Sequence, residues 1–441
     1  MINERERLSL AEWAMNLALK SGASEAAVRL AYTRSVSAEV RDGNLDTLTE
    51  AQHNGLDLDV YVDGRYSSHS TNDLRADDLA RFIREAVAST RYLSPDEYRG
   101  LPDPSYYPQD LAGDLKVFDP SYEEVETEER IKIARELEAA ARAVSDKIVT
   151  ATGSYSDNRS DVVRVHSNGF VGGAQTTTFD IGVDATVADE GGKRPGDWSS
   201  STARFRRDLL APDYLAAEAA TRALAKIGQQ KIASGQYDCI VENRACRRLG
   251  WMLQEPLQGR ALHLKASFLE GKMHQQVASE KFTLIDDPTI EKGLGSRFFD
   301  GEGLAAKVLP VFENGILSNY FIDVYYGRRL GMQPTTAHPS NYIVVPGERS
   351  LAEMIKDTAR GILVQGFIGG NSNSTTGDFS LGISGQLVEN GRTVMPISEM
   401  NLAGNTGDLF SRLVEVGNDP YLQSSMRCPS LRFEGAQFSG I

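Results

Sequence analysis

Hydrophobic and polar positions alternate with two different rhythms along the first half of the chain. Leu10, Trp13, Ala14, Leu17 and Ala18 recur at three- and four-residue spacing after Ser9-Leu-Ala-Glu12, a capping-box spacing, so a helix is expected there, ending at Gly22. The period then shortens to two. Ala26 to Tyr32, Ser37 to Val40 and Leu56 to Val62 read as strands, the last with strict alternation at Leu56, Leu58, Val60 and Val62. A second helix, Asp77 to Thr90, turns Leu79, Phe82, Ile83 and Val87 inward.

The same order then recurs. A helix from Glu128 to Val144 carries Ile131, Ala134, Leu137 and Ala141 on one stripe. Strands follow at Lys147 to Tyr155, Val162 to His166 and Phe179 to Val187, and a helix from Pro212 to Ile227 closes the unit. His53-Asn-Gly55 and His166-Ser-Asn-Gly169 echo each other, as do Ser67-Ser68 and Ser199-Ser200, so a degenerate helix-plus-strands duplication is expected. Near Ser234-Gly235 the character changes. One helix, Arg244 to Met252, precedes short strands and glycine turns, with hairpin signals at Glu313-Asn-Gly315 and Glu389-Asn-Gly391. The expected fold is therefore α+β: an N-terminal domain over residues 1–235 with internal duplication, and a mostly-β barrel or sandwich over 236–441.

Length supports two units, since 441 residues exceed the size at which one core usually stops growing. Net charge is −14, which disfavours a broad nucleic-acid face. Arg244, Arg247 and Arg248 form a local basic cluster, read here as a solvated helix face. The N-terminus, Met1 to Arg7, is charged where a secretory signal needs an apolar core, and the longest uncharged apolar stretch, Gly361 to Gly370, is far short of the ~20 residues that span a bilayer. Three scattered cysteines make no disulfide framework. A cytoplasmic location away from membranes is the expectation.

Hydrolytic zinc sites need histidines beside a glutamate that takes a proton from metal-bound water. The six histidines, His53, His69, His166, His263, His274 and His338, precede Asn, Ser, Ser, Leu, Gln and Pro. None makes a His-Glu pair, so no catalytic or metal-ligating residue is assigned. Glu270 and His274 would share a face if helical, but two residues make a poor site. Cys239 and Cys246 sit in apolar company and read as buried thiols, whereas Arg427 would favour a thiolate at Cys428. The run from Gly366 to Asp378 lacks the Gly-Lys-Ser/Thr ending of a phosphate loop, and Gly382-Ile-Ser-Gly385 is one residue short of a nucleophile elbow. Gly369 to Gly385 remains the most unusual stretch. Gly369, Gly370 and Gly377 would let a ligand approach the backbone, and Asn371, Asn373, Thr376 and Asp378 have the groups to bond a peptide main chain; the competing reading is a tight turn closing two strands.

Thr376-Gly-Asp-Phe-Ser-Leu-Gly382, Val388-Glu-Asn-Gly391, Pro396 to Asn405 and Val416-Gly-Asn-Asp419 together resemble the TldE (PmbA) signature series in order and spacing, and Phe299-Asp-Gly-Glu-Gly303, Asn314 to Leu317 and Arg329-Leu-Gly331 fit the same pattern. The resemblance spans Tyr237 to the end. It implies the metal-free subunit of a TldD/TldE metallopeptidase that trims peptides or unfolded proteins, a family first named for modulating DNA gyrase. The TldD-type subunit carries His-Glu-x-x-x-His and the zinc. Here the corresponding stretch looks like Leu253 to His263, in which Glu255 survives as a carboxylate. The resemblance further implies docking to a TldD-type partner and dimer-like assembly in isolation. Two other readings compete: a non-proteolytic binding protein acting on DNA gyrase or a toxin–antitoxin pair, and an independent hydrolase using Cys428 or a serine.

Overall fold

The computed structural model describes residues 4–110 and 113–441; Met1 to Asn3 of the charged N-terminal segment lie outside the described residues. A helix, three antiparallel strands and a helix occur twice in succession. The first unit is α1 (Glu4–Lys20), β1 (Glu25–Arg41), β2 (Asn44–Val62), β3 (Arg65–Thr71) and α2 (Ala76–Thr90). The second is α3 (Thr127–Ala143), β4 (Ile148–His166), β5 (Val171–Val187), β6 (Gly196–Ala203) and α4 (Pro212–Leu224). Their strands form one six-stranded sheet in the order β3-β2-β1-β4-β5-β6, so the first strands of the two units pair antiparallel at its centre. The expected duplication is the organising symmetry of this half.

Leu56, Leu58, Val60 and Val62 are buried, as their alternation predicts, against α1 and α2; α3 and α4 cover the other unit. Four details differ from expectation. Helix α1 begins at Glu4, so Ser9 lies inside it, and its buried stripe is Arg7, Ala11, Ala14 and Ala18 while Trp13 is exposed. Small residues take that face because the helix lies close on the sheet. The separate strands read at Ala26 to Tyr32 and Ser37 to Val40 are one strand, and so are the two read within β4. The connecting stretch of β4 breaks the apolar alternation with charges that are buried but paired: Asp157 accepts from Arg130 at 2.6 Å, and Asp161 pairs with Arg7 at 3.2 Å. Finally, β3 and β6 are serine-rich edge strands whose sequences carry little apolar signal.

The second half opens with β7 (Gly235–Val241), α5 (Asn243–Gln254), α6 (Gly259–His263), β8 (Leu284–Asp286), β9 (Leu309–Glu313), β10 (Ile316–Leu317), α7 (Val324–Leu330), β11 (Tyr342–Val344) and α8 (Leu351–Lys356). It continues with β12 (Arg360–Ser372), β13 (Asp378–Glu389), β14 (Arg392–Asn405), α9 (Thr406–Ser411), β15 (Leu413–Val416), β16 (Met426–Arg427) and β17 (Leu431–Ser439). Strands β14, β13, β12, β7 and β17 are hydrogen-bonded in that order, and β14 pairs back onto β17, so five strands close a barrel. Ile362, Val364, Leu381, Ile383, Leu402, Phe433 and Phe438 belong to its buried core. A five-stranded sheet, β10-β9-β8-β11-β16, packs beside it. Asn314-Gly315 and Asn390-Gly391 take positive φ at both central positions, the hairpin turns their sequences called for. The expectation of a single helix here is corrected: α6 to α9 span at most two turns, too short for a periodic stripe. They announce themselves only through caps such as the Ser350–Glu353 capping box of α8 and the Asp323 cap of α7.

Polar contacts lock the two halves together, with Arg204 buried among them. Arg204 donates to the carbonyls of Gly293 and Leu294, Arg328 donates to Tyr98, Gly100 and Leu101, and Arg99 stacks on Tyr66 and Tyr325 at 4.5 and 3.7 Å. At this junction Glu302 accepts the Val324 N–H at 2.9 Å. Burial raises its carboxyl to about 8, and Asp300 and Asp323 push the same way. A folded state that holds this proton more tightly than the unfolded chain loses stability as pH rises from the ordinary carboxylate range through about 8. Glu302→Gln keeps an acceptor for Val324 and removes the titration. Urea denaturation at about pH 5 and about pH 9 is expected to show a smaller alkaline loss in the variant, by roughly 2–4 kcal/mol.

Candidate functional site

The stretch singled out in the sequence forms the end of β12, a turn and the start of β13, projecting beyond the barrel. Gly369 and Gly370 both have positive φ, and a Cβ at Gly370 would fall 2.1 Å from the Ser380 carbonyl oxygen. Asn371 pairs with Ser380 in the strand ladder. The remaining candidates are engaged in the turn. Asn373 Oδ1 accepts the Thr375 and Thr376 N–H groups, the Gly377 N–H reaches the Asn373 carbonyl at 2.8 Å, and Thr376 Oγ1 donates to Asp378 at 2.8 Å. Asn405 Nδ2 bonds both the Thr376 carbonyl and Asp378. The Thr376 hydroxyl and the Asn405 amide hold the Asp378 carboxyl below its usual range. Asn373, Thr376, Gly377 and Asp378 thus have a structural account as turn builders, although Asn371, Asn373 and Asp378 also border a shallow surface depression, whereas Gly369 borders an open cleft.

That cleft, of about 590 Å³, lies where the two halves meet and is walled by Trp198, Lys226, Arg244, Arg247, Arg248, Trp251 and the backbone of Gln365 to Gly369. The reading of the three arginines as a solvated face is corrected for Arg244, while Arg247 and Arg248 are half-exposed in the cleft wall. Arg244 is 9% exposed, its ring-stacking partner Trp198 lies 4.2 Å away, and its Nη2 donates to the Trp198 carbonyl at 2.5 Å. Arg247 sits among Trp198, Trp251 and Tyr421 at 5.5 to 5.8 Å, and Arg248 donates to the Gly370 carbonyl at 3.2 Å. Sequence reasoning missed Trp198 and Lys226 because they come from β6 and the turn after α4, outside α5 itself.

A buried ion network holds this wall. Arg222 donates both Nη groups to Glu242 at 2.7 Å and reaches Asp197 at 3.3 Å; Lys226 and Arg244 also face Asp197, at 3.2 and 3.6 Å. Burial alone would raise the Asp197 carboxyl, but Lys226, Arg222 and Arg244 outweigh it and hold it below the usual range. The opposite wall is a strand edge. Strand β7 pairs with β12 only from Gly361 to Val364, so from Gln365 onward no strand among the described residues occupies that side of β12.

The stretch that corresponds to a zinc motif by resemblance lies at the end of α5 and in α6. A second cleft of about 440 Å³ is lined there by Gln254, Glu255, Gln258, Arg260, Asp323, Tyr326 and His338. Glu255 is largely exposed and faces Arg260 at 4.0 Å, while His263 packs against Tyr326. Glu255, Asp323 and His338 all line this cleft, but among the described residues they do not converge as a ligand set, and two amides and a guanidinium stand where further zinc ligands would be needed. Among the described residues no three His, Cys, Asp or Glu side chains converge as a metal site. Glu270 and His274 sit in turns, His274 with a φ of 62°, so the shared helical face considered for them is absent. Cys428 is buried, with Cys246 as its neighbour, and burial raises the Cys246 thiol well above its ordinary value. A thiol nucleophile facing substrate is not what the fold presents.

Comparison with known proteins matches three successive family profiles: PmbA/TldA metallopeptidase domain 1 over residues 26–90, the central domain over 120–227 and the C-terminal domain over 234–440. The Metalloprotease PmbA of Escherichia coli O157:H7 is 30% identical over 430 residues, covering 96% of this chain and 94% of its own. A crystal structure of a proposed modulator of DNA gyrase from Bacteroides thetaiotaomicron superposes with a TM-score of 0.96 at 40% identity over the full length of both chains. TldE from Thermococcus kodakarensis shares the fold, with a TM-score of 0.86 at 20% identity over 98% of this chain and 100% of its own. The chain belongs to the PmbA/TldE family of metallopeptidase-like proteins.

Removing one member of the network leaves opposite charges uncompensated in a buried place. Arg222→Ala is expected to destabilise the protein by about 3–5 kcal/mol in urea denaturation, with Glu242 left without its cation. A loss below about 1 kcal/mol would place these pairs with ordinary surface bridges.

Proposed function

We propose that this chain is the zinc-free subunit of a two-component peptidase of the TldD/TldE type, shaping a chamber for peptides or unfolded proteins while a TldD-type partner holds the zinc. The observation that carries this is the donor set at the end of α5, where Gln254, Glu255, Gln258 and Arg260 stand in place of a histidine pair. A carboxylate with no cation to activate its water has little to deprotonate. Family membership supports the partner. Among the described residues no helix is long and apolar enough to cross a membrane, which accords with a cytoplasmic site of action.

The chamber reading draws on the unoccupied edge of β12. An extended chain laid there gains main-chain hydrogen bonds whatever its sequence, which suits a protease that degrades unfolded material. In isolation the chain forms a homodimer under this reading, through surfaces that a TldD-type partner uses in the complex. The names of solved relatives favour a second reading, a binding protein that modulates DNA gyrase without proteolysis.

Co-expression with the TldD-type chain of the same organism separates the two. The expected outcome is peptide cleavage by the mixture, abolished by a chelator, with neither chain active alone. Inhibition or stimulation of gyrase supercoiling by this chain alone, with no cleavage by the mixture, would favour the second reading and overturn the first.

A further inference from the structure

We infer that the cleft between α4, α5 and β12 is a carboxylate subsite, in which Arg247 and Arg248 hold the C-terminal carboxylate of a bound peptide. The inference deepens the peptide-chamber reading and rests on it.

In a chain of net charge −14, the walls of this cleft are basic: Lys226, Arg244, Arg247 and Arg248 against one carboxylate, Asp197. The acidic groups nearby are already committed. Asp197 is shared by Arg222, Lys226 and Arg244, Glu242 takes both Nη groups of Arg222, and Glu218 faces Arg244 at 3.6 Å while accepting the Ser199 hydroxyl. Arg247 and Arg248 have no carboxylate within 4.0 Å among the described residues. Arg244, nine-tenths buried, keeps its Nη1 without a hydrogen-bond acceptor. Two half-exposed guanidinium groups without a carboxylate partner, beside a buried Nη1 whose nearest carboxylate, Glu218, stands beyond hydrogen-bond distance at 3.6 Å, form a concave wall that an anion would complete.

The geometry favours a planar anion. Trp198, Trp251 and Tyr421 surround the Arg247 guanidinium by ring contacts, which use its charge and leave its N–H fork free for an acceptor in its own plane. Arg248 spends one Nη on the Gly370 carbonyl, and that bond ties it to β12 beside the open strand edge. A carboxylate and a phosphate both match such a fork. The neighbouring edge favours the carboxylate, because Gln365 to Gly369, though bulged at Gln365 and Ile368, leaves backbone groups unpaired on the β7 side, where a peptide main chain can run into the cleft.

Calorimetric titration of the full-length protein tests this with one extended pentapeptide in three forms: free acid, C-terminal amide, and amide carrying an internal glutamate. The free acid is expected to bind about tenfold more tightly than either amide. Arg247→Gln with Arg248→Gln is expected to bring acid and amide within about twofold of each other. Equal binding of acid and amide to the wild-type protein, which involves no variant, overturns the subsite and leaves the chamber reading standing. Equal gain from the internal glutamate overturns the assignment to the terminal carboxylate. Displacement of the peptide acid by equimolar inorganic phosphate overturns the choice of a peptide ligand. Failure of all three forms to bind overturns the subsite together with the chamber reading.

Discussion

The position of α5 relative to the first sheet rests on one buried ionic contact, the two-pronged bond from Arg222 to Glu242 with Asp197 shared among three cations. Arg222 and Lys226 come from α4 and the turn after it, Asp197 from β6, and Glu242 from the start of α5, so the network crosses the seam between the halves. Charges taken out of water must be matched where they lie. Satisfying them leaves a fixed orientation for α5, with Arg247, Arg248 and Trp251 facing β12 and Gln254 and Glu255 at the mouth of the neighbouring cleft. Both clefts therefore inherit their shape from the same salt-bridged seam.

Much of this architecture was legible in the chain, and the failures share a cause. Period-two and period-three-to-four patterns located α2, α3, α4 and the alternating part of β2, and the repeated order foretold the symmetric sheet. The two Asn-Gly turns stood where their left-handed preference demanded. Pattern reading broke where burial is polar. Asp157 and Asp161 looked like strand breaks because their partners, Arg130 and Arg7, lie far off in sequence. Barrel closure by β14 on β17 is a long-range pairing with no local signature.

The site was legible in part for the same reason. The glycine-rich ribbon was visible as unusual, yet half of its polar side chains serve the turn itself, a role that only hydrogen-bond partners reveal. The arginine cluster was visible as basic, yet the burial of Arg244 depends on Trp198 arriving from β6. What the chain stated plainly was a deficit: histidines without adjacent glutamates, and a motif position filled by amides and an arginine. It is on this donor set that the proposed division of labour between subunits rests.

The most direct test of that division is the metal content of the isolated chain. Purified protein is equilibrated with zinc, gel-filtered and analysed by elemental mass spectrometry. The account predicts far less than one zinc per chain, unchanged by Glu255→Gln. One equivalent of zinc per chain, lost on that substitution, would contradict it.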